Sequence, residues 1–316
     1  MTITQLTYIV AVDNFKSFAQ AASECFVTQP TLSMQIKKLE DELGIKIFDR
    51  ASYPVKTTKI GAKIIEQART VLKEHQKIKE IVDEELGIIK GRFRLGIIPT
   101  IAPFLLPLFL ENFIKKHSQL NLVFDEIETD IIIDKLKKDQ LDAAILATPL
   151  NDNTIVEEPI YYEPFVAYVS KKHFLFNRKK INAAELQLKD LWLLKEGHCF
   201  RDQVINICKK YCSINPQEEK PSPTFEGGTI ETLKKLVENN FGMTLLPYLA
   251  VKEIENTENY KFVREFEKPV PKREISIVYH KSYGGKRIIK ALKKEILSVV
   301  PAQLLVKEKS IIVTRD

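Results

Sequence analysis

Hydrophobic positions are spaced in two different ways along this chain, and the change comes near residue 90. Before it they recur at helical intervals. Leu32, Ile36, Leu39 and Leu43 share one helix face, with Thr28 as the cap, Pro30 in the first turn and Gly44 at the end. Ser17 caps a shorter Ala-rich helix from Phe18 to about Glu24, and "FVTQP" makes a tight turn between the two. "FDRASYPVKTTKIGAK" predicts a short two-stranded wing carrying Arg50, Lys56 and Lys59. From residue 57 to 86, Ile60, Ile64, Ala68, Val71, His75, Ile78, Val82 and Leu86 repeat near the helical period, giving one helix of about 45 Å. A lone helix cannot bury such a stripe. It packs on its own domain or pairs with a second copy.

From residue 91 strands alternate with helices. "RFRLGII", "NLVFDEIET" and "DAAILAT" read as strands, and "APFLLPLFLENFIKKH" and "DIIIDKLKKDQL" as the helices between them. The alternation predicts βαβ units and a mostly parallel sheet. A second half, about 163–266, holds "PFVAYVS" and "LWLL" as strands, "TIETLKKLVENNFG" as a helix, and "MTLLPYLAV". "REISIVYH" at 273–280 and a helix over 285–299 return to the first half. Two such lobes bind a small ligand in the cleft between them. The tail "LLVKEKSIIVTRD" fits neither half.

Composition narrows the class. At 316 residues, 44% hydrophobic and 28% charged, the chain is long enough for two or three domains. Its longest apolar runs are broken by Pro or charge, so no membrane span is expected. The first residues lack a basic region and a cleavage site, which makes the cytoplasm the expected location. No GxSxG, P-loop or HExxH motif occurs, no cofactor is implied, and the chain does not read as an enzyme. The net charge of +6 permits a polyanionic partner. Residues 1–88 nevertheless hold twelve Lys/Arg against twelve Asp/Glu, so any basic surface there comes from local placement.

That placement exists. No acidic residue occurs from Cys25 to Leu39, while Gln29, Thr31, Ser33, Gln35, Lys37 and Lys38 occupy the polar faces of the capped helix. Gln, Ser and Thr reach base edges in the major groove and Lys neutralises phosphates. An amphipathic bundle with a solvated polar face is the alternative. "SFAQAASECFVTQPTLSMQIKKLEDELGIKIFDR" resembles the winged helix-turn-helix of LysR-type transcriptional regulators, from the Ala-Ala pair through "QPTLS" to "FDR". The resemblance implies double-stranded operator DNA as partner, read by the helix from about Thr28 to Leu43 with Arg50 beside it. Tyr53 and Pro54 depart from it where many relatives carry a basic wing residue. It further implies an all-α winged head (1–56), a dimerising linker helix (57–88), and an α/β effector domain of two Rossmann-like lobes similar to periplasmic binding proteins (89–316). Lobe I would cover about 89–162 plus 267–300, and lobe II about 163–266. The expected assembly is a dimer and, beyond it, a tetramer, with RNA polymerase as a candidate further partner.

Three of the four cysteines crowd into "KEGHCFRDQVINICKKYC". Four in a chain this long are not a disulfide framework. Cys199 falls in a turn ahead of a helix, beside His198 and Arg201, a setting that favours thiolate. Cys208 lies about 13 Å further along that helix, and a disulfide needs Cα atoms near 5.5 Å, so a bond between them requires the segment to unwind. Buried structural thiols and a zinc site from His198, Cys199, Cys208 and Cys212 are the competing readings.

"GHCFRDQVINIC" resembles the redox motif of the OxyR peroxide-sensor subfamily of these regulators. The resemblance implies Cys199 as the peroxidatic thiol and Cys208 as the resolving one, joined in a disulfide that refolds 199–212. It implies support from His198, from Asp202 as a proton relay, from Thr100 in "GIIPT", from Thr129 in "EIET", and from Arg273, which would stabilise negative charge on sulfur. Hydrogen peroxide and a disulfide reductant are then the implied chemical partners, with no metal. Cys212 is a departure, and Cys25 reads as a packing thiol. The remaining alternatives are a LysR-type regulator responding to a small metabolite in the inter-lobe cleft, a thiol peroxidase, and a zinc-dependent regulator.

Overall fold

A computed structural model describes residues 1–85, 89–211, 228–306 and 311–314. Cys212, Gly227 and part of the tail lie outside the described residues. The chain divides into two compact units, Met1–Ile88 with Ser282–Lys286, and Ile89–Lys281 with Arg287–Asp316.

The first unit is built on helix caps. α1 (Ile3–Phe15) opens on a capping box in which Thr2 and Gln5 satisfy one another's backbone N–H. α2 (Phe18–Glu24) starts at Ser17, whose hydroxyl accepts from Gln20 N. α3 (Gln29–Leu43) starts at Thr28, carries Pro30 in its first turn, and stops where Gly44 adopts φ 67°. Leu32, Ile36 and Leu39 are buried against Ile9, Val12, Ala21 and Ala22, while Leu43 stays partly exposed. Cys25 packs at the margin of this core, and burial pushes its thiol up from the ordinary value, with Glu24 adding to the effect. The wing is the antiparallel pair β1 (Phe48–Asp49) and β2 (Lys56–Thr57). α4 (Lys59–Glu85) buries Ile65 and Ala68 in the head core, but further along it Ile78, Ile81 and Val82 are exposed.

One residue of this core was not singled out by the hydrophobic pattern. Glu40 falls four residues after Ile36, on the apolar face of α3, and is buried. Its Oε1 accepts from the backbone N–H of Ile47 and of Phe48, at 2.7 and 3.2 Å, and its Oε2 takes Arg50 Nη2 at 3.2 Å. The carboxylate therefore fixes the chain where it turns from α3 into the wing. Glu40→Ala leaves two buried N–H donors without an acceptor, and should destabilise the head by about 2–4 kcal/mol. A denaturant melt of the head would show it as a lower midpoint, with Glu40→Gln losing less.

The second unit begins with the expected alternation and then departs from it. β3 (Gly91–Ile97), α5 (Ala102–Lys116), β4 (Leu120–Glu126), α6 (Thr129–Lys137) and β5 (Ala143–Thr148) form a parallel group ordered β4-β3-β5. β6 (Ile155–Val169) then runs on without a break, so that "PFVAYVS" is its second half rather than a separate strand. β7 (Lys180–Ile181), α7 (Cys199–Tyr211), α8 (Ile230–Glu238, capped by Thr229), β8 (Met243–Pro247), α9 (Tyr248–Lys252) and β9 (Val263–Phe266) complete the second lobe. β10 (Pro271–His280) returns, followed by α10 (Lys286–Val299).

β10 runs antiparallel to both β5 and β6, and β6 antiparallel to β8 and β9, so the sheet is mixed rather than mostly parallel. β6 and β10 are the long strands shared by the two lobes. Both are largely buried, so neither shows the alternation that marks a one-sided strand. "LWLL" is not a strand either. Only Leu191 bridges to Met243 there. The tail has a place: β11 (Ile311–Ile312) pairs parallel with Pro271 and Lys272 of β10.

Candidate functional site

The carboxyl ends of parallel strands are where open α/β sheets put ligands. β3 delivers Thr100, just before α5, and β4 delivers Glu128 and Thr129 at the start of α6. Facing them is the loop before α7, with Gly197 and His198, and Cys199 as the helix's first residue. Together Ile98, Pro99, Thr100, Glu128, Thr129, Gly197, His198 and Cys199 line one narrow slot. The structure thus brings together Cys199, His198, Thr100 and Thr129 from the sequence-derived set. Cys199 begins the helix itself rather than lying in a turn ahead of it.

The slot is polar where it matters. Thr129 Oγ1 is buried and has no hydrogen-bond partner, which is uncommon for a buried hydroxyl. Thr100 Oγ1 accepts from Arg273 Nη1 at 2.8 Å. His198 is 8% exposed; burial holds its imidazole below the ordinary value, Glu128 opposes that and Lys195 adds to it. The ring is therefore neutral at neutral pH, with one nitrogen to donate and one to accept. Glu128 pairs with Lys195 at 2.9 Å and faces His198 Nε2 at 4.0 Å. Its other oxygen lies against Gly197, where an added Cβ would come within 2.4 Å, and Gly197 has φ +94°. The positive φ is what calls for glycine there, since the Glu128 carboxylate can swing aside from an added Cβ.

Arg273 is held by two neighbours. Its guanidinium lies on Glu163, through Nε at 2.9 Å and Nη2 at 2.7 Å, and on Thr100 Oγ1 and O. Both charged residues are 1% exposed, and they face each other across β10 and β6. Glu163 also accepts from Leu249 N at 2.9 Å. The pair thus orients Thr100 from behind the slot. Phe200 joins it, stacked on Phe165 at 5.1 Å and lying under the guanidinium at 5.0 Å. Sequence reading missed Glu128, Glu163 and Phe200. The available signal was a lone carboxylate in the otherwise buried strand "YYEPFVAYV", which requires a cation.

Asp202 sits on the first turn of α7, half-buried, and does not line the slot. Cys208 is fully buried on the same continuous helix. Nine residues of intact helix separate the two thiols by about 13 Å.

In the head, Gln29, Thr31, Lys37 and Lys38 are exposed on α3, and Ser33 and Gln35 are half-buried. Gln35 Oε1 accepts from Gln5 Nε2 at 3.4 Å, and Thr31 Oγ1 shares a hydrogen bond with Thr28 Oγ1. Arg50 donates to Ser33 Oγ at 2.9 Å and lies over the Phe18 ring, besides holding Glu40. Lys37 and Lys38 thus present their charge from α3 itself, and Arg50 braces the wing onto it.

Residues 3–62 match the bacterial regulatory helix-turn-helix protein of the lysR family, and residues 87–300 match the LysR substrate binding domain. A hydrogen peroxide-inducible genes activator of Dickeya chrysanthemi is 35% identical over 279 residues, 88% of this chain and 89% of the relative. The DNA-binding transcriptional dual regulator OxyR of Escherichia coli K12 is 34% identical over the same length, 88% of this chain and 89% of its own. Full-length OxyR C199D from Pseudomonas aeruginosa superposes with a TM-score of 0.80 at 34% identity, covering 98% of each chain. This chain belongs to the LysR family of helix-turn-helix regulators, and within it to the OxyR subfamily.

Proposed function

We propose that the chain is a cytoplasmic DNA-binding transcription regulator that senses hydrogen peroxide at Cys199. One observation carries the reading. A buried thiol lies on a narrow slot that also holds an unpartnered Thr129 hydroxyl, the Thr100 hydroxyl and a neutral His198. Those groups suit a ligand of two oxygens with donors and acceptors at both ends. The Dickeya chrysanthemi relative, a hydrogen peroxide-inducible genes activator, agrees with it.

The chemistry balances in two steps. Cys199 thiolate attacks one peroxide oxygen, the O–O bond breaks, and the leaving hydroxide takes a proton to become water. His198 is the slot's proton-handling group, and Thr100 and Thr129 hold the peroxide in line. The sulfenic acid formed on Cys199 then condenses with Cys208, releasing a second water and leaving a disulfide. The bond cannot form on intact α7, so closing it refolds the segment, and the altered lobe is the signal carried to the head. An external dithiol reductant resets the pair. Consumption of peroxide should stop near one equivalent per chain unless that reductant is supplied, which separates a sensor from a peroxidase.

A second copy of the chain is the proposed partner for the exposed stripe Ile78, Ile81 and Val82 on α4, which would set two α3 helices one or more DNA turns apart. RNA polymerase is the proposed recipient of activation. The direct test is thiol mapping by mass spectrometry after micromolar peroxide. A Cys199–Cys208 disulfide is expected, and unmodified Cys199 at that dose would overturn the reading.

A further inference from the structure

The C-terminal segment is bound to the helix that carries both sensing thiols. β11 extends β10 at Pro271 and Lys272, and Val313 N donates to Lys272 O at 2.8 Å. On its other side two side chains of α7 hold it. Gln203 Nε2 donates to Val313 O at 3.1 Å, and Asn206 Nδ2 donates to Thr314 O at 3.3 Å. Gln203 is 1% exposed and Val313 7%, so the first of these bonds is buried. Every one of these contacts reads the segment's backbone, as in the addition of a strand to a sheet edge.

Gln203 and Asn206 lie between Cys199 and Cys208. They are on the stretch that must unwind for the two thiols to meet. α7 has little to hold it locally, since Val204, Ile205 and Ile207 are β-branched and disfavour helix. Its stability is tertiary, and the docked segment supplies part of it. Lys272 and Arg273 are adjacent on β10, so the same segment also abuts the strand that aligns Thr100.

We propose that Ile311–Thr314 is a clasp: an extended segment of this chain, seated in a strand-accepting groove between β10 and α7, that must leave before Cys199 and Cys208 can join. The inference rests on the peroxide-sensing reading for its consequence, but not for its geometry. The clasp leaves the first chemical step alone, because the slot is formed with the segment in place. It slows the second step, the condensation of the Cys199 sulfenic acid with the Cys208 thiol with loss of water. A dose of peroxide must then persist long enough for the clasp to open.

Two variants test this. One ends at Ser310; the other is Gln203→Met, which keeps the bulk and removes the donor. Hydrogen exchange of the reduced proteins reads the clasp without peroxide. Amides of α7 should exchange about tenfold faster in both variants, the effect of losing one or two net hydrogen bonds. With peroxide, dimedone trapping should give the same rate of sulfenic acid formation as wild type within about twofold, while disulfide formation speeds up by about the same tenfold factor. Added peptide IIVTRD at millimolar concentration should slow exchange again in the truncated protein. Unchanged α7 exchange in both variants overturns the clasp. A wild-type chain that forms no sulfenic acid overturns the sensing reading, while the exchange data still decide the clasp.

Discussion

Cys199→Ser abolishes disulfide formation at micromolar peroxide and leaves the fold intact. Serine is close in size to cysteine, and the site is at the start of α7 rather than in the middle of the core, so the stability change should stay near about 1 kcal/mol. The chemical change is complete, because a serine hydroxyl does not attack peroxide. Thiol mapping should find Cys208 and Cys25 still reduced at a dose that fully converts the wild type. Cys25 provides the internal control: burial and Glu24 push its thiol up, away from reactivity. Cys208→Ser gives the complementary result. Cys199 should reach the sulfenic acid and stay there, open to trapping, and the helical signal in circular dichroism should not fall. A Cys199–Cys212 disulfide in that variant would show that the resolving role belongs to Cys212.

The helix geometry makes these two results separable. A disulfide needs Cα atoms about 5.5 Å apart, and the intact helix holds these about 13 Å apart. Peroxide chemistry at Cys199 can be complete before any refolding starts. The first variant removes the trigger, and the second removes the reason for the helix to melt.

Parts of this were legible from local pattern. The caps Ser17 and Thr28, Pro30 and Gly44 each act within a few residues, so the ends of α2 and α3 could be read directly. Thr100 and Thr129 were reachable only through resemblance, because a threonine after a strand has no local mark of function. The pairing of β6 and β10 was not legible. A strand buried on both faces carries no periodicity that names its neighbour, and β6 and β10 pair residues more than a hundred positions apart. Arg273 shows the same limit. Its partner Glu163 lies 110 residues earlier, and nothing near either residue indicates the other. The tail's position depends on Gln203 and Asn206 binding backbone carbonyls, an interaction that selects no particular tail sequence.

Arg273→Met should destabilise the regulatory unit by about 3–5 kcal/mol, the second of the two large effects. The methionine fills much of the volume, so packing is not the main loss. The loss is electrostatic: the Glu163 carboxylate, 1% exposed, keeps among the described residues only the Leu249 N–H as donor once two guanidinium bonds are gone. A denaturant melt followed by tryptophan fluorescence from Trp192, the chain's single tryptophan, reads this unit. Arg273→Met combined with Glu163→Gln should recover most of the stability, since the buried charge is removed along with its partner. Peroxide reactivity should not recover with it. Thr100 loses both bonds from Arg273 in the double variant as in the single one, so its hydroxyl is no longer aimed at the slot. The double variant is then stable but slow to form sulfenic acid, by about tenfold for one misaligned hydrogen bond. If it regains wild-type reactivity along with stability, Arg273 acts on the fold alone. If Arg273→Met melts within about 1 kcal/mol of wild type, the buried pair is not holding β6 to β10, and Thr100 is oriented by its backbone instead.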